Sequence, residues 1–382
     1  MCVGLLYMYY YDDPYADIFI YHQKASALVK QFINDPSDLL SLVSGDFYKV
    51  PVLSGLVYQP RVMAYVILIT PVAALSLNNF WIISVYLGLF AFLSIFAAAE
   101  LIVSKFNLNI YSIGVSFLLL PSFVFWSSGL MKESLVTGCV GLVIYSGCCI
   151  ALNRKIVLHL FLLVNFAIII YVIKFYVAAI FLPMLFAAVI IYRFRQNVAD
   201  KLSWFLIVLV VSGLFYVLAF SKFLSYNVVI QELLHNHYRT VLVSEPGKVV
   251  HFPGIYDGFT GIIKNTPKAF FSGLFIPNIF NMRADISLLA GIENTLVLII
   301  SFIALVSCLI KRSGLNVYTV IVFFYCILMA ILLTIASPNI GTLARYKVYY
   351  WPFWVYLITS GNAILHKAFT AVLAKLNILI RL

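Results

Sequence analysis

Charged side chains are scarce in this sequence, and acidic ones are the scarcest. Only 10% of the 382 residues are charged, with 14 Asp and Glu against 25 Lys and Arg, and 64% are hydrophobic. Such a composition leaves too little polar surface for a soluble domain. The mean hydropathy of +1.04 and the recurrence of apolar runs long enough to cross a bilayer predict a polytopic membrane protein.

The sequence also lacks the short alternating segments of about ten residues that build transmembrane barrels. Its apolar runs are continuous, which predicts an all-α fold, a polytopic transmembrane helical bundle. The predicted spans lie near residues 80–103, 109–126, 134–152, 156–173, 176–192, 203–220, 286–310, 317–336 and 348–365. Two further segments, 1–11 and 62–77, raise the total to about 10 or 11 spans.

These two additional segments are short. Residues 1–11 have half the length that a span needs and fit a truncated first span. They do not fit a signal peptide, because they lack its basic start and its small-residue cleavage site. Residues 62–77 contain Pro71 and fit either a short kinked span or a re-entrant segment. No Pro-, Gly- or Ser-rich linker divides the chain, so residues 1–382 are predicted to form a single integral membrane domain.

Cysteine is sparse as well, and the spacing of the six cysteines matches no metal-ligand pattern. We interpret them as small apolar residues. The formal charge of +11 does not indicate nucleic acid, because the basic residues are scattered between spans rather than gathered in one stripe. Orientation of the spans in a bilayer explains them better.

The distribution of Lys and Arg in short loops predicts the orientation. One face, predicted to be cytoplasmic, collects Lys105, Arg154, Lys155, Arg193, Arg195, Lys201, Lys311, Arg312, Lys367, Lys375 and Arg381. Residues 366–382 are predicted to form an amphipathic helix on that face, which places the C-terminus in the cytoplasm. A long segment, 221–285, lies on the opposite face. The loop 12–61 falls on the cytoplasmic face if 62–77 crosses fully, and outside if it is re-entrant; we favour the outer face.

Four basic residues remain in short loops of the predicted outer face: Lys132, Lys174, Arg345 and Lys347. Lys174 has no chemical partner in the sequence and is not assigned to a site. Lys132 and Glu133 follow the small hydroxylated residues Ser127 and Ser128, which offer hydrogen-bond donors and leave room for a ligand. The alternative is that Lys132 reaches the lipid headgroups and Glu133 caps the next helix.

An acidic cluster, Asp12, Asp13 and Asp17, precedes a predicted amphipathic helix at 18–32. Clustered carboxylates deprotonate an acceptor hydroxyl or hold a divalent cation such as Mg²⁺ or Mn²⁺, so that cation is the one candidate cofactor. The alternative is a solvated helix start with Asp13 as the N-cap and Pro14 at the first helical position. Both interpretations are compatible, because one aspartate can cap while another reacts.

The second basic pair, Arg345 and Lys347, flanks Tyr346. An arginine fork and a lysine point charge suit a phosphate or pyrophosphate. Glu293 lies about two turns inside an apolar helix and needs a partner, for which Arg283 or Arg345 is a candidate. His235 and His237 would share a face of a strand but not of a helix, and no third ligand is close in sequence, so no metal site is predicted there.

The pattern Pro-x-x-x-Phe-Trp-x-Ser-Gly-x-x-Lys-Glu ending at Glu133, the later Gly-Thr-Leu-x-Arg-Tyr-Lys ending at Lys347 and the early acidic motif resemble bacterial envelope proteins of the GT-C glycosyltransferase and polysaccharide polymerase type. The resemblance implies a GT-C-like bundle with outer-face juxtamembrane helices, in the bacterial inner membrane. It covers most of the chain thinly. A large soluble C-terminal domain, found in better-known members, is missing from this sequence.

By this resemblance, a polyprenyl-phosphate or polyprenyl-pyrophosphate sugar donor enters from the membrane lipids and transfers its sugar to a glycan or a lipid-linked acceptor, with no role for nucleic acid. The resemblance implies that Asp12 or Asp13 is the base or metal-binding carboxylate, and that Lys132, Arg345 and Lys347 surround the phosphate leaving group. Together with the residue patterns above, the candidate catalytic residues are Asp12, Asp13 and Glu133. The candidate substrate-binding residues are Asp17, Lys132, Ser127, Ser128, Arg345, Tyr346, Lys347, Arg283 and Glu293.

Two other classes fit the same sequence. A transporter or flippase of lipid-linked saccharides would use the same basic and aromatic cavity, with helices broken at Pro71, Pro121 and Pro183. A noncatalytic membrane subunit of an export complex would need none of these residues.

Overall fold

The computed structural model describes residues 2–10, 16–106, 108–193, 226–245, 247–279, 287–311 and 316–360. The predicted span 203–220, the predicted tail 366–382 and the candidate residues Asp12, Asp13 and Arg283 lie outside this part of the chain. The described chain is helical and contains no β-strand; an isolated bridge joins Val249 and Asn339.

The helices are numbered along the chain. Those up to residue 193 are α1 (Cys2–Leu5), α2 (Asp17–Asn34), α3 (Ser37–Ser44), α4 (Pro51–Ser54), α5 (Pro60–Leu75), α6 (Phe80–Phe106), α7 (Ile110–Gly114), α8 (Pro121–Trp126), α9 (Lys132–Ala151), α10 (Ile156–Ile173) and α11 (Phe175–Arg193). The later ones are α12 (Tyr226–Leu242), α13 (Phe259–Phe275), α14 (Ser287–Lys311), α15 (Val317–Ala336), α16 (Ile340–Tyr346) and α17 (Trp351–Ser360). Wider π-helical turns follow α1 at Leu6–Tyr10 and α7 at Val115–Leu119.

Among the described residues, six helices are long and apolar enough to cross a membrane: α6, α9, α10, α11, α14 and α15. They confirm the predicted spans near 80–103, 134–152, 156–173, 176–192, 286–310 and 317–336. The protein is therefore an all-α, multi-pass membrane protein. Helix α17 occupies part of the predicted span 348–365. Helix α5 is apolar but has only 16 residues, fewer than the roughly 20 that a straight span needs.

The predicted span at 109–126 is wrong as a single helix. The chain is helical from Ile110 to Leu119, becomes extended at Leu120 with φ −66° and ψ 113°, and resumes as α8 at Pro121. Proline has no N–H to continue the helical hydrogen bonds, and its ring disfavours the helical conformation in the residue before it. Pro121 is the sequence signal for this break, but the span was predicted from the apolar length of residues 109–126 alone.

The chain divides into two compact units. Unit 1 comprises residues 1–98, 124–146 and 156–179, and unit 2 comprises residues 99–123, 147–155 and 180–382. Each unit has its own packed interior.

In unit 1, helices α6 and α9 pack closely because Gly141 has no side chain. A Cβ at this position would lie 2.7 Å from the backbone carbon of Ser94 and 2.8 Å from the backbone nitrogen of Ile95. Small residues at a crossing allow two helix backbones to approach, which is a common source of stability between membrane helices.

The amphipathic helix predicted at 18–32 is confirmed as α2, and it packs against α5 through an edge-to-face contact between Tyr21 and Tyr65, with 5.0 Å between ring centroids. Its start differs from the prediction. The N-cap is Ala16 and Asp17 is the first helical residue, so Asp13 is not the N-cap and Pro14 is not the first residue of this helix. Ala16 itself is buried against Met131 and Val3, and burial at this position explains why an apolar residue precedes the helix.

In unit 2, the predicted long outer loop 221–285 contains the two helices α12 and α13. Both pack against α15. Between them, the backbone N–H of Val250 donates to the carbonyl of Pro338 at 2.9 Å, and that of Ile340 donates to Lys248 at 2.9 Å. The apolar cluster beneath this pairing consists of Val250, Phe252, Ile255, Ala269, Ile335 and Leu343. The segment is therefore folded onto the ends of the bundle helices.

We predict that Gly141→Ala destabilises unit 1 by about 1–3 kcal/mol, the usual range for overpacking a dense interface. The new methyl group meets backbone atoms, which yield less easily than a side chain. Thermal unfolding in detergent would measure the loss as a lower Tm. Gly114→Ala is the matched control, since nothing lies within 4 Å of a Cβ at Gly114. It should leave Tm unchanged or raise it; an equal loss in both variants would contradict the close-approach explanation.

Candidate functional site

Unit 1 contains a buried ion pair between Glu133 and Lys174. Glu133 is the second residue of α9, and Lys174 is the single residue between α10 and α11. The Nζ of Lys174 lies 3.3 Å from Oε1 of Glu133, and the two residues are 6% and 2% exposed. Sequence reasoning found no partner for Lys174, which was wrong: two residues far apart in sequence neutralise each other in this unit.

The neighbouring cations contact aromatic faces. The Nζ of Lys132 lies 4.8 Å from the ring centroid of Tyr21, and the Nζ of Lys174 lies 5.5 Å from that of Tyr176. Such contacts stabilise a cation by about 0.5–2 kcal/mol, more where water is excluded. In unit 1, Lys132 thus contacts a ring of α2, and Lys174 contacts both the carboxylate of Glu133 and a ring of α11.

Ser127 and Ser128 use their hydroxyl groups within the chain turn that follows α8. The Oγ of Ser128 donates to the carbonyl of Phe125 at 3.0 Å, and that of Ser127 to the carbonyl of Val124 at 3.5 Å. The N–H of Gly129 donates to the Oγ of Ser134 at 3.2 Å. These bonds close the turn that leads into α9. A ligand contact from either serine stays a prediction, and it would use the hydroxyl oxygen as an acceptor.

Unit 2 contains a second centre, organised by the carboxylate of Glu293 on α14. One oxygen accepts the backbone N–H of Ser122 at 2.8 Å; the other accepts the Ser122 hydroxyl at 2.5 Å and the indole N–H of Trp351 at 2.9 Å. A carboxylate inside an apolar bundle must be paired or hydrogen-bonded. Glu293 meets this requirement with three donors from α8 and α17.

Lys347 lies beside this centre and is 2% exposed. Its Nζ donates to the carbonyl of Leu274 at 2.6 Å and lies 4.4 Å from the ring centroid of Trp351. Burial holds the pKa of Lys347 well below its ordinary value, and the charge of Glu293 opposes that shift. The amine of Lys347 thus binds the C-terminal end of α13 through the carbonyl of Leu274.

Arg345 and Tyr346 end helix α16, whose N-cap is Asn339. The side chain of Asn339 accepts the N–H of Thr342 at 3.0 Å, and this cap begins the helix directly after the bridge to Val249. The guanidinium carbon of Arg345 lies 5.3 Å from the ring centroid of Tyr346. Both side chains are partly exposed, so this end of the late motif is accessible while Lys347 is not.

The acidic cluster is only partly described. Asp17 is exposed at the start of α2, whereas Asp12 and Asp13 lie outside the described residues, as does Arg283. A divalent cation at the aspartates therefore stays a prediction. Within the part of the chain that the structure describes, no group of three or more His, Cys, Asp or Glu residues converges as a metal site would require.

His235 and His237 lie on helix α12, so their side chains diverge and do not share a face. His237 is buried. Its Nδ1 donates to the carbonyl of Ile335 at 2.6 Å, and its ring packs near Phe252 and Tyr256. Burial lowers the pKa of His237, against the opposing effect of the bond to Ile335. His237 thus ties α12 to the end of α15.

A residue of the first motif and a residue that follows the second meet in unit 2. Ser122 belongs to the first motif, and Trp351 follows the second by four residues; both bind Glu293. The sequence suggested neither Ser122 nor Trp351 as a donor to Glu293. The requirement of Glu293 for donors was the available signal, but nothing in a linear sequence indicates which donors come close to it.

Comparison of the chain with models of protein families, with characterised proteins and with solved structures gave no match.

We predict that Lys174→Met alone destabilises unit 1 by about 3–5 kcal/mol, the usual loss when one partner of a buried ion pair is removed. The double variant Glu133→Gln with Lys174→Met should recover most of the loss, because no unpaired charge remains. Chemical unfolding of the two single variants and the double variant would give the coupling energy. Additive losses would contradict the pairing. Lys248→Met, which removes an exposed lysine near Glu245, is the control and should change stability by less than about 1 kcal/mol.

We also predict a loss of stability on acidification through His237. Its pKa in the folded protein lies below the ordinary value of 6.5, so the unfolded chain binds the proton first. The neutral ring therefore contributes its full stabilisation above about pH 6.5, and this contribution declines as the pH falls below that value. The free energy of unfolding should be measured between roughly pH 5 and pH 8, the range in which histidine changes its charge. It should depend less on pH in His237→Asn than in the wild type. His235→Asn, at an exposed position of the same helix, should behave as the wild type; if both variants do so, the assignment to His237 is wrong.

Proposed function

We propose that this protein is a membrane glycosyltransferase or polysaccharide polymerase that uses a polyprenyl-phosphate or polyprenyl-pyrophosphate sugar. The proposed location is the outer face of the bacterial inner membrane, the C-terminus is proposed to be cytoplasmic, and the product is an envelope glycan. The single observation that carries this proposal is the Glu293 centre, where Ser122 of the first motif and Trp351 beside the second bind one carboxylate. One residue of the first motif and one residue that follows the second thus contact the same carboxylate.

In this proposal, Arg345 binds the phosphate of the lipid carrier. Its side chain is partly exposed at the end of α16, and an arginine fork presents paired donors to phosphate oxygens. Lys347 is assigned a different role from the one that its sequence position indicated. Because its amine is buried on the carbonyl of Leu274, it positions α13 beside the centre. Lys132 remains a proposed contact of the carrier in unit 1.

The proposed reaction needs a base and a stabilised leaving group. Asp12 or Asp13 takes the proton of the acceptor hydroxyl, and the acceptor oxygen then bonds to the anomeric carbon of the donor sugar. The bond from that carbon to the carrier oxygen breaks, and the lipid phosphate or pyrophosphate leaves with the bonding electrons. Cations stabilise the negative charge that develops on the leaving oxygen. Glu133 has a supporting role here, since Lys174 keeps its carboxylate paired.

One observation favours transport of lipid-linked saccharides as a second candidate. The chain breaks at Leu120 between two short helices, directly after the π-helical turn Val115–Leu119. Interrupted membrane helices frequently line the substrate path of transporters. The same break also places the N–H of Ser122 against Glu293, so it serves either function.

The test is glycan transfer by protein reconstituted in vesicles with a lipid-linked sugar and an acceptor. We predict that Asp12→Asn or Asp13→Asn reduces transfer by about 10²–10⁴-fold, as expected for loss of a general base, while binding of the lipid-linked donor persists. The matched control is Asp46→Asn in the same extramembrane segment, which removes only an exposed pair with Lys49. This variant should transfer at the wild-type rate.

Unchanged transfer in both aspartate variants would exclude the assignment of Asp12 or Asp13 as the base.

A vesicle assay without acceptor distinguishes the second candidate, a transporter of lipid-linked saccharides. Movement of labelled lipid-linked sugar between leaflets, with no transfer when acceptor is added, would identify a transporter and overturn the transferase proposal.

A further inference from the structure

Helix α13 belongs to the segment that the sequence places outside the membrane, but its C-terminal turn packs against a membrane span. A Cβ at Gly273 would lie 2.7 Å from the carbonyl oxygen of Ala330 and 2.5 Å from the hydroxyl of Thr334, both on α15. The two backbones are therefore in close contact near the end of α13. The absence of a side chain at Gly273 allows this approach.

The contacts place this turn inside the ends of two spans. Ala330 lies six residues before α15 ends at Ala336, which corresponds to about 9 Å along a helix. Asn294, which contacts the segment after α13, lies seven residues beyond the start of α14 at Ser287, or about 10 Å. Two independent spans thus give the same depth.

The backbone that follows α13 is not helical, and its polar groups are satisfied by side chains of the bundle. The side-chain N–H of Asn294 donates to the carbonyl of Pro277 at 2.6 Å, and the hydroxyl of Thr295 accepts the N–H of Ile279 at 3.2 Å. In addition, the hydroxyl of Tyr350 donates to the carbonyl of Gly273 at 2.7 Å. Non-helical backbone at membrane depth is tolerated only where protein groups satisfy it.

The exposed side of α13 carries an apolar stripe and, beside it, the exposed residues Lys264 and Lys268; the ammonium of Lys268 donates to the carbonyl of His251 at 2.7 Å. Phe259, Ile263 and Phe271 are 47%, 53% and 60% exposed, and with Pro267 they form a stripe with a spacing of four residues. An exposed stripe of large apolar side chains indicates a contact with a partner or a membrane. Its alignment along one face of a helix is typical of helices that lie at the lipid interface.

This stripe is continuous with the apolar surface of the spans. The ring of Phe271 lies 5.2 Å from that of Phe270, and Phe270 lies 6.3 Å from Trp354. Trp354 in turn stacks on Phe323 at 6.1 Å, and Phe323 is an exposed residue of the span α15. Phe271 and Phe323 are thus the exposed ends of one aromatic cluster, whose middle is the partly buried Phe270 and the buried Trp354.

We propose that residues 259–279 form a re-entrant segment, in which α13 enters the bilayer and its stripe at Phe259, Ile263, Pro267 and Phe271 contacts lipid. The occupant of this face is the hydrocarbon of the surrounding bilayer, with Phe271 deeper than Phe259. Residues 276–279 follow as non-helical backbone held against α14 by Asn294 and Thr295. This inference does not depend on the proposed enzymatic activity.

The experiment uses the full chain in lipid vesicles, with its native cysteines replaced and a nitroxide label on a single new cysteine. The probe sites are Phe259→Cys, Ile263→Cys and Phe271→Cys, all at exposed positions. Phe302→Cys is the lipid-facing reference, because Phe302 is 66% exposed on α14. Glu232→Cys, at an exposed position of α12, is the aqueous reference. Collisions of the label with oxygen report lipid, and collisions with a water-soluble nickel chelate report water.

We expect the ratio of oxygen to nickel accessibility to rise from Phe259 to Phe271, and at Phe271 to be several-fold higher than at Glu232 and close to that at Phe302. A ratio at Phe271 equal to that at Glu232 would overturn the proposal. Unfolding of each labelled variant is measured in parallel, and only variants with the Tm of the unlabelled protein are scored. Because three separate positions are tested, failure of one variant to fold leaves the others to decide.

Discussion

The cost of leaving a polar group unpaired in apolar surroundings governs the arrangement of this protein. A charged residue among apolar helices is stable only with a partner, and the bundle supplies one for each buried charge described above. Lys174 pairs with Glu133 in unit 1, Glu293 binds Ser122 and Trp351 in unit 2, and Lys347 donates to a helix end. Helix breaks and connections follow from these needs, since each partner must be brought to the required place.

The need of Glu293 for hydrogen-bond donors also connects the fold to the proposed function. The break at Leu120 frees the N–H of Ser122 from a helical bond, and that N–H binds Glu293. The π-helical turn before it widens the helix where the chain changes direction; such turns frequently occur at functional sites. The Glu293 centre thus combines a carboxylate on a regular span with a donor beside a helix break, and interrupted helices commonly line binding sites in membrane transporters.

Lys347 illustrates how position in the sequence and role in the fold differ. A lysine in a short outer loop indicated a phosphate ligand, but its amine lies on the carbonyl of Leu274 and on the face of Trp351. It thereby joins α13 to α17 beside Glu293. Arg345, two residues earlier, is partly exposed. The late motif thus separates into one residue that organises the centre and one that is accessible to a ligand.

The sequence by itself determined the fold class, six of the spans and the amphipathic character of α2, because apolar length and periodicity are local properties of the chain. It also indicated that Glu293 needed donors. Only the tertiary structure decided that Lys174 pairs with Glu133, that Ser122 and Trp351 bind Glu293, and that α13 lies against α15. These contacts join residues distant in sequence, and their geometry depends on how helices pack, which no local pattern encodes.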